Sequence, residues 1–137
     1  MFLPRVARLC TINDTLPDMK PQLILIAGPY RSGTGGDPDL IDRNLRRLEA
    51  ASAPIYRRGH VPMIGEWVAL PTIRELDAEE GEPDVMYETA KRLLQHCDGV
   101  LRLPGESSGA DEDVRIAHEL GLPVYTDAEQ IPLVNAR

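Results

Sequence analysis

The stretch that decides the fold is QLILIAGPYRSGTGG at residues 22–36, in which an apolar run leads directly into a glycine-rich loop. The run ends at Gly28, and its unbroken apolar character is typical of a strand buried on both faces of a parallel sheet. After the loop, residues 38–59 carry apolar side chains near helical spacing and stop at Gly59. The stretch therefore predicts a strand–loop–helix unit.

The rest of the chain repeats this alternation. Apolar runs predict three more strands, at residues 60–64, 98–105 and 122–126, and periodic segments predict two more helices, at residues 84–97 and 108–121. Residues 65–83 have the least regular pattern and are predicted to form a loop with a solvated acidic patch. The alternation predicts an α/β fold in which helices cover both faces of a parallel sheet of four to five strands.

Length and composition set the domain organisation. The chain has 137 residues, enough for one compact domain with its own core. The segment MKPQLILI, which begins at Met19, reads as a short polar lead into the first strand. We therefore expect an N-terminal extension at residues 1–20 and a single domain at residues 21–137.

The charge balance narrows the possible partners. A net charge of −7 argues against polymeric nucleic acid or an anionic membrane as a partner, because both require a basic surface. A small anionic ligand remains compatible, since backbone amides and a single arginine can hold a phosphate. Cys10 and Cys97 lie far apart without metal-ligand spacing, which favours reduced thiols and a cytoplasmic protein.

The glycine-rich loop has two interpretations. Its glycines permit backbone amides to converge on an anion, Arg31 offers a charge-assisted contact, and Ser32 or Thr34 offers a hydroxyl. However, the loop lacks the Gly-Lys-Ser/Thr ending of a P-loop and the spacing of a dinucleotide-binding fingerprint. Taken alone, it is either half of a nucleotide pocket or a mobile connector.

A second loop, PGESSGADED at residues 104–113, follows the third predicted strand. Parallel strands end at one edge of the sheet, so both loops are expected there. Ser108 is predicted to cap the next helix, and the three acids that follow point about 100° apart around it. One acid can therefore face the cleft and attack the anomeric carbon of a sugar. The alternative interpretation is that all three acids only complement the helix dipole.

Four segments together resemble the nucleoside 2-deoxyribosyltransferase-like superfamily, most closely its branch of small bacterial and phage proteins. These are LILIAGPY (23–30), GHVPM (59–63), CDGVLRLPG (97–105) and SSGADEDVRIAHELGLPVY (107–125). The resemblance implies a flavodoxin-like or Rossmann-like three-layer sandwich that forms a homodimer or a higher homo-oligomer. It also implies that neither a metal nor an organic cofactor is used.

The resemblance further implies cleavage or transfer at the N-glycosidic bond of a (deoxy)nucleoside or nucleoside 5′-monophosphate. A carboxylate at the start of the helix after strand three acts in the family, and the matching position is Asp113. The implied substrate-binding positions are Gly28, Pro29, Tyr30, Arg31 and Ser32 in the first loop, and Gly105, Ser107, Ser108 and Gly109 in the second.

Two positions depart from the family pattern. Asp113 stands where the family has glutamate, so its carboxyl group is one methylene shorter. Ala90 stands where members often carry an acid on the preceding helix. The alternative is therefore a nucleotide-binding module of the same fold without turnover. A third possibility is an interaction protein in which both loops are connectors.

The remaining polar and aromatic candidates have weaker signals. The three histidines, His60, His96 and His118, show no metal spacing, so surface or capping roles are expected. Trp67 is either a base-stacking residue or a packing residue. Glu66 has the chemistry to contact a sugar hydroxyl, but the sequence does not fix its direction. Asp98 is expected to mark the start of a buried strand.

Overall fold

The computed structural model describes residues 19–76 and 84–134. The elements in chain order are β1 (Leu23–Ala27), α1 (Pro38–Ala50), α2 (Ser52–Arg57), β2 (Val61–Met63), α3 (Gly65–Glu75), α4 (Asp84–Leu94), β3 (Gly99–Arg102), α5 (Ser108–Glu119) and β4 (Val124–Tyr125), followed by a short 3₁₀ helix at Ala128–Gln130. Most of the expected extension at residues 1–20, including Cys10, lies outside the described residues.

The four strands form one parallel sheet in the order β2-β1-β3-β4. This order is that of a flavodoxin-like sheet, and it puts β1 and β3 in the centre. Central strands are buried on both faces, which explains why β1 is apolar at every position. The predicted α/β architecture, a three-layer sandwich with four parallel strands, is confirmed.

Each face of the sheet has its own core, because successive side chains of a strand point to opposite sides. Leu25, Ala27 and Val100 pack with residues of α4 and α5 on one face. Ile24, Ile26 and Leu101 pack on the other face with α1, α2 and the C-terminal segment that contains Ile131. The helix α3 packs beside α4.

Residues 65–76 correct the sequence interpretation, since a helix of eleven residues begins at Gly65 where a loop was predicted. Pro71 lies inside this helix. Proline normally disfavours the interior of a helix because it lacks a backbone N–H donor. The predicted acidic loop falls largely on residues 77–83, outside the described residues. The helical pattern at residues 38–59 is divided at Ala51 into α1 and α2, which places the break three residues before Pro54.

His60 is buried rather than exposed, so the expected surface role is wrong for this residue. Its Nδ1 accepts a hydrogen bond of 2.9 Å from the N–H of Gln22, and its Nε2 bonds to the carbonyl of Pro132. The ring, which lies directly before β2, thus connects the segment before β1 to the C-terminal segment. His60 is a structural residue.

Asp98 has the structural role expected of it at the start of a strand. Its Oδ2 accepts a hydrogen bond of 2.8 Å from the N–H of Leu23, which ties β1 to the segment before β3. None of the helices described at residues 19–76 and 84–134 has the length and apolar character needed to cross a membrane.

Candidate functional site

A cavity of about 510 Å³ opens at the carboxyl ends of β1 and β3. Its walls come from the loop after β1, the first turns of α5, and the facing sides of α3 and α4. A parallel sheet of this order places its ligand crevice at this edge, where the strand order reverses between β1 and β3.

The structure brings most of the candidate residues of the sequence together around this cavity. Its lining includes Gly28, Tyr30, Arg31, Ser32, Ser107, Ser108, Gly109 and Asp113. Pro29 lines an adjoining cavity of about 570 Å³, which shares Ser32, Ser107 and Ser108 with the first. Gly105 packs instead against Pro29.

The glycine-rich loop is held by a buried threonine. The Thr34 hydroxyl donates to the carbonyl of Arg31 at 2.6 Å and accepts from the N–H of Gly36 at 3.2 Å. The side-chain amide of Asn44, on α1, donates to the carbonyl of Tyr30 at 2.9 Å. These bonds fix the backbone from which Tyr30 and Arg31 project.

The helix α5 begins one residue earlier than its sequence signal suggested. Its N-cap is Ser107 rather than Ser108, and the Ser107 Oγ accepts a hydrogen bond of 3.1 Å from the N–H of Ala110. Ser107 is buried, whereas Ser108 is exposed at the cavity rim. The predicted cap at Ser108 is therefore wrong, and Ser108 instead lines the cavity.

The two loops are packed directly on one another. A Cβ atom at Gly105 would lie 2.8 Å from Cγ of Pro29, and one at Gly28 would lie 3.1 Å from Cβ of Leu103. Arg47 of α1 donates to the carbonyl of Pro104 at 2.7 Å. The spacing of the two loops therefore depends on a glycine at residue 105, and a side chain at residue 28 would crowd Leu103.

We expect Gly105→Ala to destabilise the protein by about 3 kcal/mol, since a side chain at its φ of 119° is strained and also collides with Pro29. Gly121→Ala is the matched control, because its φ of 76° is also positive but a Cβ there meets open space. The control should cost about 1–2 kcal/mol. Urea denaturation of both variants measures the difference, and equal losses would contradict the described loop contact.

The electrostatics of the cavity centre on Asp113, in the second turn of α5. The pKa of this carboxyl group is raised from 3.8 to about 7, chiefly by burial and further by the charges of Glu66 and Glu112. Arg102 acts in the opposite direction. The Arg102 guanidinium is held in place by an ion pair of 2.8 Å with Asp111. Asp113 can therefore exchange a proton near neutral pH.

Glu66 and Tyr30 complete the ionisable cluster. Burial raises the pKa of Glu66, while a hydrogen bond from its own backbone N–H lowers it in part. Burial and then the charge of Glu66 raise the pKa of Tyr30, against a lowering effect of Arg31. The charge of Glu66 thus acts on both Tyr30 and Asp113, and all three residues line the same cavity.

The sequence interpretation missed the wall formed by α3 and α4. This wall contributes Leu70, Ile73, Met86, Tyr87 and Ala90 to the cavity. The available signal was the spacing of Glu66, Leu70 and Ile73, four and seven residues apart, which places all three on one face of a helix.

Other candidates lie away from this chemistry. The indole N–H of Trp67 donates to Glu49 at 3.0 Å, which directs the ring toward α1. Burial raises the pKa of the Cys97 thiol to about 11, so this buried thiol stays protonated. Among residues 19–76 and 84–134, no group of three or more His, Cys, Asp or Glu side chains is arranged to hold a metal ion.

No protein-family model matches this chain, and no curated protein matches it with significant similarity. Function is therefore inferred from the geometry of the cavity.

Proposed function

We propose that the protein cleaves or transfers the N-glycosidic bond of a nucleoside or nucleoside 5′-monophosphate, with Asp113 as the nucleophile. The observation that carries this proposal is that Asp113 lines one cavity with Tyr30 and the Ser107–Gly109 turn. A carboxylate can bond to an anomeric carbon or stabilise positive charge that develops there. The neighbouring hydroxyl and backbone N–H groups are suited to bind the oxygens of a sugar or a phosphate.

The shape and polarity of the cavity support this substrate class. Leu70, Ile73 and Met86 provide an apolar side suited to a flat base, and the serine-rich turn provides a polar side suited to a sugar or phosphate. A volume of about 510 Å³ falls within the range of small-molecule sites. Action without metal or organic cofactor, a cytoplasmic location and assembly into a homodimer remain predictions.

The test is the release of free base from a panel of ribo- and deoxyribonucleosides and their 5′-monophosphates. Chromatography measures the base that is released. We expect the folded protein to release base from at least one member, and to transfer the sugar when a second base is added if it is a transferase. A folded protein that releases base from no member of the panel would contradict this proposal.

A second candidate, a nucleotide-binding module without turnover, is favoured by one observation. Ala90 lines the cavity from α4 and supplies a methyl group where the resembled family often has an acid. This candidate predicts that nucleoside monophosphates raise the melting temperature while no product forms. No rise at millimolar concentrations would exclude it.

A further inference from the structure

Two carboxyl groups reach one cavity from different helices. Glu66 extends from the first turn of α3, and Asp113 extends from the second turn of α5. After burial, the charge of Glu66 is the largest influence that raises the pKa of Asp113. Like charges in a poorly solvated space disfavour double ionisation, so the pair retains one proton near neutral pH.

The two carboxyl groups differ in their neighbours. Glu66 lies on the same face of α3 as Leu70 and Ile73, which form the apolar side of the cavity. Asp113 lies on α5, whose first turn carries Ser108 and Gly109. A base held by the apolar side would lie next to Glu66, and the attached sugar would lie next to Asp113.

The other charged groups near the pair act on Asp113 in opposite directions. Arg102, on β3, lowers the pKa of Asp113, whereas Glu112 raises it. Tyr30 and Arg31 face the cavity from the first loop, and Tyr87 faces it from α4. Positive charge that develops at an anomeric carbon beside Asp113 stabilises its ionised form, which leaves Glu66 as the member of the pair that carries the proton.

We propose that Glu66 is the acid–base partner of Asp113 and protonates the departing base. This role rests on the proposed function. An oxygen of the Asp113 carboxylate bonds to the anomeric carbon as the bond from that carbon to the base nitrogen breaks. The Glu66 proton goes to a basic atom of the departing base, such as N7 of a purine, so that the base leaves as a neutral molecule. Water then attacks the anomeric carbon and gives a proton to Glu66. The bond to Asp113 breaks, and both carboxyl groups return to their starting states.

Glu66→Gln tests this role with two substrates that share one sugar. The first carries the base that the panel identifies. The second carries a base that leaves with little or no need of a proton, which is N7-methylguanine for a purine enzyme and 5-fluorouracil for a pyrimidine enzyme. We expect kcat/KM to fall about 10²- to 10⁴-fold on the first substrate and less than about 10-fold on the second.

Two further variants separate this role from a structural one. Glu75→Gln removes an exposed carboxylate from the same helix and should leave both rates unchanged. Glu66→Asp keeps an acid that is one methylene shorter, and it should restore part of the activity on the first substrate. Circular dichroism and melting temperature confirm that each variant is folded.

The outcomes distinguish the two proposals. Wild-type protein that releases base, together with Glu66→Gln that loses nothing or loses equal activity on both substrates, overturns the role of Glu66 alone. Wild-type protein that releases base from neither substrate overturns the proposed function and this role with it.

Discussion

Asp113→Asn should lower kcat/KM for base release by roughly 10³- to 10⁶-fold, the range expected when the nucleophile of a covalent mechanism is removed. The amide has the same shape as the carboxyl group but is neutral and a far weaker nucleophile. It neither forms the bond to the anomeric carbon nor stabilises positive charge there. The rate is measured as free base released per enzyme, with the uncatalysed rate subtracted.

Binding should survive this substitution, because Tyr30, Ser108 and Gly109 are unchanged. The same nucleotides should therefore still raise the melting temperature of Asp113→Asn. Glu119→Gln, at the exposed end of the same helix, is the matched control and should retain full activity. Asp113→Asn with more than a tenth of the wild-type rate would exclude Asp113 as the nucleophile.

The second large effect is on stability as a function of pH. The pKa of an aspartate carboxyl group is ordinarily 3.8, and that of Asp113 is about 7 in the folded protein, so between these pH values the folded state holds a proton that the unfolded state has lost. This group's contribution to stability is fully present below about pH 4 and is lost as pH rises to about 7. The loss amounts to about 4 kcal/mol at most, since one pKa unit corresponds to about 1.4 kcal/mol.

Urea denaturation of wild type and Asp113→Asn over this pH range measures the effect. The asparagine variant should show a flatter dependence and should exceed wild type in stability above about pH 7, because it buries no charge there. Glu66→Gln should show an intermediate slope, since it removes one of the charges that raise the pKa of Asp113. Parallel curves for the three proteins would mean that Asp113 is well solvated.

The sheet could be predicted from the sequence because its strands carry strong local signals. Residues 23–27 are apolar throughout, and such a run has few alternatives to a central parallel strand. The two loops followed from the same reasoning, since parallel strands end at a common edge. The packing of the two loops on one another at Gly28 and Gly105 could not be predicted, because it depends on how distant segments approach each other in the folded protein.

The helix α3 was missed although the spacing of Glu66, Leu70 and Ile73 indicated it, and the position of the proposed acid–base partner was missed with it. Pro71 and the acidic residues that follow the helix both signal irregular structure, and tertiary packing against α4 overrides that signal. Glu66 was visible as a candidate, but its direction depends on where this helix begins. The cap at Ser107 was missed for a similar reason, because adjacent serines give equivalent local signals.

Mass spectrometry of a trapped intermediate tests the central claim most directly. A substrate with fluorine at the 2-position of the sugar destabilises positive charge at the anomeric carbon, so that hydrolysis of a covalent intermediate is slowed. We predict that wild type gains the mass of one sugar residue, that the peptide containing Asp113 carries it, and that Asp113→Asn gains nothing. Release of base without any adduct, or an adduct on Glu66 instead, would contradict the assignment of Asp113 as the nucleophile.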